Sequence, residues 1–338
     1  MNYQAIQMIG TQRSGSNLLR LMLNQLSDIS APHPPHILER LMPLLPVYGD
    51  LHIPENFEIL VDDACRLVET NPVAWTGVIL NRRLIAESCK TPSLTEIMRI
   101  IYELKAAADN ATSWMCKSMA SIHYADQLEA HIKPLYLHLY RDGRDVACSF
   151  RKAIVGEKHI YHLARQWKQE QDLSLALMDQ LGSDRVIQVK YEELLTHPEK
   201  EMQRLCHFLG IRYNAAAMEY HVSEEAKNTA SSGEMWQNVQ QPVMTDNHNK
   251  YRKELSTEDI RLFEEVAGDT LVSLGYTPDN PGYAGRLFSE AERASFDELN
   301  KEMKRQARLK QKPEDLQKRS AQDALLNEIK ERVRSHAA

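Results

Sequence analysis

Residues 9–17 read IGTQRSGSN, between the apolar run Tyr3–Ile9 and the Leu-rich run NLLRLMLNQL at 17–26. A buried strand, a Gly/Ser turn and an amphipathic helix in that order open a β–α unit. Leu18, Leu19, Met22, Leu23 and Leu26 recur at helical spacing and supply the apolar face. Gly10 and Gly15 permit a tight turn and close approach of backbone. Successive N–H groups at a helix start attract an anion. Ser14, Ser16 and Asn17 add side-chain donors, and Arg13 adds a permanent cation with a planar fork. The ATP-binding pattern G-x-x-x-x-G-K-[ST] is met in its glycines only: Ser16-Asn17 stand where that loop has its Lys and its magnesium-holding hydroxyl. The loop is equipped for a polyanion, and magnesium-dependent phosphoryl transfer is disfavoured.

Reading outward, strand-like and helix-like segments alternate. ATSWMC ends at Lys117, PLYLHLY ends before Arg141, and DRVIQV ends before Tyr191. DGRDVACSFRKAI turns into a helix, and a long polar helix covers about 158–181. THPEKEMQRLCHFLGI is a punctuated helix, with Thr196 and Glu199 at capping-box spacing, Pro198 in the first turn and Gly210 as its stop. Such alternation predicts a three-layer α/β fold with a mostly parallel sheet, of the P-loop NTPase-like type. Ligands in such sheets sit beyond the carboxyl ends of the strands. Thr11–Asn17, Lys117, Arg141 and Tyr191 all fall at those ends. Residues 1–280 read as one α/β domain with a mostly helical, substrate-side insertion at 31–110. Residues 281–338 read as a charged helical extension, either packed on the domain or serving as a dimerisation arm.

Composition narrows the function. The chain has 338 residues and a net charge of −6, so no nucleic-acid partner is expected. Five Cys, none closely spaced, predict reduced thiols and no zinc site. No signal peptide and no long apolar run are read, which predicts a cytoplasmic protein without a membrane span.

QRSGSNLLRLML resembles the 5′-phosphosulfate loop of the PAPS-dependent sulfotransferases, closest in style to the tyrosylprotein sulfotransferases and their bacterial relatives. LYRDGRDVACSF resembles that family's 3′-phosphate segment, in which an Arg ending a strand and a Ser eight residues later grip the phosphate. Those positions are Arg141 and Ser149. KYEEL with the following HPE is similar to a later family segment. The resemblance covers roughly 3–30 and 112–275. It implies a sulfotransferase using PAPS, with Arg13, Ser14, Gly15, Ser16 and Asn17 around the 5′-phosphosulfate. Arg141 and Ser149 would hold the 3′-phosphate, Tyr191 would frame the nucleotide, and Lys250 (or Arg252) would be a late basic contact. The family's further Arg falls on Ala153, leaving Arg151 or Lys152 as substitutes.

Sulfuryl transfer needs positioning and electrostatic stabilisation of charge on the leaving oxygen. Arg13 and Lys117 are the candidate cations. Because sulfate carries less charge than a phosphate monoester, protein cations serve without a metal. A base must take the acceptor's proton, and APHPPHILER offers His33 and His36, with Glu39 third. The family's Glu in this neighbourhood falls on Pro34, which cannot act. The expected acceptor is a hydroxyl or amine on a small molecule, glycan or lipid. Two other functions stay open on the sequence: a P-loop small-molecule kinase, and a non-catalytic nucleotide-binding protein with a degenerate loop.

Overall fold

The computed structural model describes residues 3–280, 282 and 285–336. Among the described residues five strands form one parallel sheet: β1 (Gln4–Ile9), β2 (Ile29–Ser30), β3 (Ser113–Cys116), β4 (Leu135–Tyr140) and β5 (Val186–Lys190). Their spatial order is β2-β3-β1-β4-β5. The chain runs from β1 to one edge, returns beside β1 as β3, and then crosses to the other side as β4. The reversal around β1 makes the loops leaving β1, β3 and β4 diverge into a shared crevice.

The strands are apolar almost throughout because both faces are covered. Ile6, Met8, Met115, Leu137, Leu139 and Val189 face one layer, built by helices Ser16–Leu23 and Pro198–Leu209. Ile9, Trp114, Cys116, Tyr136 and Val186 face the other, built by the insertion and by Leu177 of helix Ile160–Leu181. Alternation along β4, with Tyr136 to one layer and Leu137 to the other, is the period-2 pattern of a pleated strand.

The insertion is helical: Ile37–Leu41, a 3₁₀ segment Met42–Tyr48, Pro54–Glu69, Arg82–Ser88 and Leu94–Ala108. Pro54 opens its helix where a missing N–H costs nothing, and Ser93 accepts from the Glu96 N–H at 3.2 Å to start the last. Helix Ser16–Leu23 buries Leu19, Leu21, Met22 and Leu23, while Leu18 is half-buried, so its buried face is rotated from the expected one.

Two expectations need correction. The Thr196–Glu199 capping box is absent: the helix is capped at His197 with no side-chain bond, and Thr196 Oγ1 instead donates to the carbonyl of Glu192 at 3.0 Å. A preceding short helix, Tyr191–Thr196, takes up the residues that a capping box would need in extended form. Edge strand β2 is two residues long and gives no periodic signal in the sequence.

Past residue 285 the chain forms two helices, Glu290–Leu309 and Pro313–His336. The second is not wholly solvated, because Leu325 and Ile329 are buried in the insertion's core. Among the described residues no helix is long and apolar enough to cross a membrane.

Candidate active site

At the carboxyl edge of the sheet lies a cavity of about 700 Å³, within the range of small-molecule sites. Arg13, Gly15, Ser16, Asn17, His33, His36, Glu39, Lys117, Arg141, Ser149, Tyr191 and Lys250 all line it. Of the residues expected at the site, Ser14 is the exception: its side chain is fully buried and its hydroxyl has no hydrogen-bond partner among the described residues. Arg252 is also displaced from the expected role, since it forms a bidentate bridge to Asp279 at 2.9 and 2.8 Å. Arg151 pairs with Asp259 at 2.6 Å, whereas Lys152 reaches the cavity.

The loop after β1 has two constraints that glycine meets. Gly15 has φ +92°, and a Cβ there would come within 2.3 Å of the Tyr191 ring. Gly10 has φ +117°, and a Cβ would meet the Leu139 carbonyl at 2.3 Å. The loop is thus pressed against β4 and against the aromatic ring that follows β5. Its base is also pinned: Gln171 donates to Thr11 Oγ1 at 3.1 Å and accepts from His138 Nε2 at 2.7 Å. Burial holds His138 neutral, its pKa pushed down to about 4.

Arg13 takes a left-handed backbone, φ +72°, that non-glycine residues adopt at a cost. That conformation carries its guanidinium to Ser149, where Nε donates to Oγ at 3.0 Å. Arg141 lies over the Tyr191 ring, 4.7 Å from its centroid, and donates to the Asn247 carbonyl at 2.9 Å. Its Nε has no hydrogen-bond partner among the described residues. The Tyr191 hydroxyl accepts from Asn247 Nδ2 at 2.7 Å. Loops following three different strands are thereby locked to one another. Arg144 and Asp145, by contrast, are structural: Arg144 is buried against Asp142 and Glu264, and Asp145 holds Arg141 and the Tyr251 N–H.

Lys117 follows β3, and Gln7 of β1 fixes that strand end by donating to the carbonyls of Cys116 and Ser118 at 3.1 and 3.0 Å. Lys117 Nζ donates to Asn17 Oδ1 at 3.0 Å. Burial, with Arg20 and Arg13 close by, pushes its pKa down to about 7. Burial beside other cations disfavours the charged form, a combination that clusters at functional sites.

The two histidines differ. His36 Nδ1 lies 2.9 Å from Glu39 Oε2 and 3.0 Å from Ser118 Oγ. A proton on Nδ1 satisfies the carboxylate and leaves Nε2 as an acceptor. Burial lowers the His36 pKa, with Glu39 opposing. Burial alone would raise Glu39, but the hydrogen bond to His36 and its charge outweigh this and hold the carboxyl below its ordinary value. His36 too has positive φ, +62°. His33 is 4% exposed, neither of its ring nitrogens has a hydrogen-bond partner among the described residues, and its pKa falls well below the ordinary value through burial. It meets the Trp236 ring edge-on at 5.1 Å.

Several residues here escape sequence reasoning. Arg20 is fully buried and bonds the Ala31 carbonyl, Glu225 and Thr229 at 2.9, 2.7 and 2.7 Å, fastening the loop's helix to a segment two hundred residues later. An arginine inside LRLML was the available signal, since such a helix has no fully solvated face to give it. Trp236 and Arg319, which line the cavity from far along the chain, carry no local signal at all.

The chain belongs to the sulfotransferase family, whose model matches residues 5–215. It is 23% identical over 278 residues to a protein-tyrosine sulfotransferase of Drosophila melanogaster, covering 80% of this chain and 51% of that protein. It is 22% identical over 289 residues to protein-tyrosine sulfotransferase A of Caenorhabditis elegans, covering 82% and 68%. The chain thus spans about half the length of the fly relative. Among solved structures, the sulfotransferase domain of the Synechococcus PCC 7002 olefin synthase superposes with a TM-score of 0.52 at 22% identity, covering 78% of this chain and 94% of that domain. At that identity the likeness speaks for the fold, a P-loop-like α/β sandwich.

Proposed function

We propose that this protein transfers the sulfuryl group of PAPS to a hydroxyl on a small acceptor. The observation that carries the reading is the Arg13–Ser149 hydrogen bond at 3.0 Å, with Arg141 beside it. It joins the loop suited to a 5′-phosphosulfate to the pair suited to a 3′-phosphate. The residues present fit such a group: Arg141 Nε is a buried donor lacking a partner among the described residues, and Ser16, Asn17, Ser149 and Lys250 add donors along the same cavity. When bound, PAPS supplies a sulfuryl group whose bond to the 5′-phosphate oxygen breaks, leaving its electron pair there, as the acceptor oxygen bonds to sulfur.

The chain's own residues supply the rest. Arg13 and Lys117 offset negative charge gathering on the departing phosphate oxygen, a task worth about 10²–10³ in rate per well-placed donor. Asn17 aims the Lys117 ammonium. His36 takes the acceptor's proton at Nε2, and Glu39 steadies the imidazolium that results. The carboxylate that orients His36 is the reason to prefer it over His33, whose ring nitrogens have no hydrogen-bond partner among the described residues. Arg141, Ser149, Tyr191 and Lys250 hold the nucleotide. The acceptor is a hydroxyl compound small enough for the remaining cavity, which separates this reading from the protein acceptors in the names of the fly and worm relatives.

The test compares thermal stabilisation by adenosine 3′,5′-bisphosphate with that by ATP and Mg²⁺, followed by transfer from ³⁵S-labelled PAPS into a metabolite extract. Preferential stabilisation by the bisphosphate and a labelled product are expected. Preference for ATP with Mg²⁺ would replace this reading with a kinase.

A further inference from the structure

Helix Glu290–Leu309 buries a single residue among those described, and that residue is polar: Asn300. A helix docked by an apolar face would bury its leucines instead, yet Leu299 is exposed. A buried amide is tolerated when its hydrogen bonds are made. Asn300 makes them with one short segment. Its Oδ1 accepts from the N–H groups of Lys158 and His159 at 2.9 and 3.0 Å, and its Nδ2 donates to the Glu157 carboxylate. Four residues to either side, Phe296 stacks on His159 at 4.9 Å and Lys304 pairs with Glu157 at 3.1 Å. Residues 296, 300 and 304 therefore share one helix face, and that face grips residues 157–159. It lies beyond residue 215, where the family match ends.

The gripped segment in turn holds the end of helix Gly143–Lys152. Lys158 is 3% exposed, and its ammonium donates to the carbonyls of Phe150 and Val155, both at 2.7 Å. The Phe150 carbonyl is among the last four of its helix, where a cation is favoured. Gly156 presses the intervening turn onto the same residue: at φ +78°, a Cβ there would come within 2.7 Å of the Phe150 ring. Ala153, Ile154 and Val155 of that turn line the cavity. Ser149 directly precedes Phe150. Its carbonyl accepts from the Ala153 N–H at 3.1 Å, and its hydroxyl accepts from Arg13 Nε at 3.0 Å. A chain of hydrogen bonds and one peptide link thus runs from Asn300 through Lys158 and Phe150 to Ser149 and Arg13.

We propose that helix Glu290–Leu309 fastens the nucleotide half of the cavity from outside, and that Asn300 is a positioning residue for Ser149, acting through Lys158 on the last turn of helix Gly143–Lys152. The inference rests on the PAPS reading for the 3′-phosphate that Ser149 meets, but not for the coupling between Asn300 and Ser149.

The experiment is calorimetric titration of the full chain with adenosine 3′,5′-bisphosphate and with adenosine 5′-phosphate, in wild type, Asn300→Ala, Ser149→Ala and the double variant. Asn300→Ala should weaken the bisphosphate about five- to tenfold and the 5′-phosphate no more than about twofold, since the misplaced hydroxyl serves the 3′ group. In the Ser149→Ala background the further loss from Asn300→Ala should shrink to about twofold or less, because the two act on one contact. Equal losses for both nucleotides, or additive losses in the double variant, overturn the proposal and leave Asn300 a purely structural plug. So does unchanged affinity. Should Asn300→Ala fail to fold, Glu157→Gln weakens the same contact more gently, and its loss of about two- to threefold should again be confined to the bisphosphate. If the bisphosphate does not bind wild type, the PAPS reading fails. The coupling is then decided by hydrogen exchange in the free chain: residues 149–158 should exchange about tenfold faster in Asn300→Ala than in wild type, and unchanged exchange there overturns it.

Discussion

One wall of the cavity carries Arg13, Lys117, Arg141 and Tyr191 and hangs from the carboxyl ends of four parallel strands, β1, β3, β4 and β5. The other wall carries His33, Trp236 and Arg319, drawn from the insertion, the 3₁₀ segment Glu234–Gln240 and helix Pro313–His336. In the first, main-chain register sets the positions: Gln7 pairs with both Cys116 and Tyr136, and the residues just past those strands follow. In the second, ring stacking and a few ion pairs set them. A site divided this way can keep its donor chemistry while side-chain changes re-shape what it accepts, because hydrogen-bonded register does not depend on the side chains opposite.

The largest test of this division is at the sheet-borne wall. Lys117→Ala should lower transfer from PAPS by about 10²–10³ while changing affinity for adenosine 3′,5′-bisphosphate only several-fold. Single-turnover kinetics beside calorimetry check this, and an unchanged rate would remove Lys117 from the chemistry. On the other wall, His36→Gln should cost about 10²–10⁴ in kcat and abolish the acid limb of the pH–rate profile, whereas His33→Gln should act mainly on KM. The reverse pattern would exchange their roles.

Discrimination comes next in size. Arg141→Gln should weaken adenosine 3′,5′-bisphosphate by about 10–100-fold and leave adenosine 5′-phosphate within a few-fold, since the lost bond is charge-assisted and specific to the 3′ group. Equal losses for both nucleotides would place Arg141 in the scaffold.

The pH dependence is smaller and has a definite sign. The Lys117 pKa in the free protein is pushed down to about 7, so its ammonium is present below that pH and lost above it. A bound anion favours the charged form and raises that pKa. Bisphosphate binding should therefore take up protons and weaken as pH rises from about 6.5 to 8.5, and Lys117→Met should flatten that slope. A guanidinium does not deprotonate in this range, and burial lowers the pKa of His33 and of His36, which also face the site. Calorimetry in buffers of different ionisation enthalpy measures the uptake, and proton release instead would reverse the assignment. The least effect is expected from Gly15→Ala on folding, about 1–3 kcal/mol of strain at φ +92°, visible as a lower Tm. Its closeness to the Tyr191 ring should make the loss in nucleotide affinity the more visible consequence.

Much of the first wall was legible from local patterns. GTQRSGS after an apolar run, with Lys117, Arg141 and Tyr191 each at the end of a strand-like segment, needed only nearest neighbours in the chain, whereas Ser149 came from the resemblance to the sulfotransferase 3′-phosphate segment. The Arg13–Ser149 bond between them was not legible, because it depends on the left-handed backbone at Arg13. Nor was the choice between His33 and His36, which rests on a carboxylate placed by one turn of helix after a strained residue. The Thr196–Glu199 spacing misled, since a short preceding helix competes for the same residues.

By itself the sequence determined the alternation of strand and helix, hence the parallel sheet, and with it the identity of the residues at the strand ends. Periodicity and turn chemistry act over a few residues, and those are what a linear chain displays. Only the tertiary structure decided that Lys310, Lys312, Arg319, Gln322 and Asp323 line the same cavity as the loop at residues 12–17. That contact comes from burying Leu325 and Ile329 against the insertion. The hydrophobic effect that drives it is non-directional, so no local pattern names its partner.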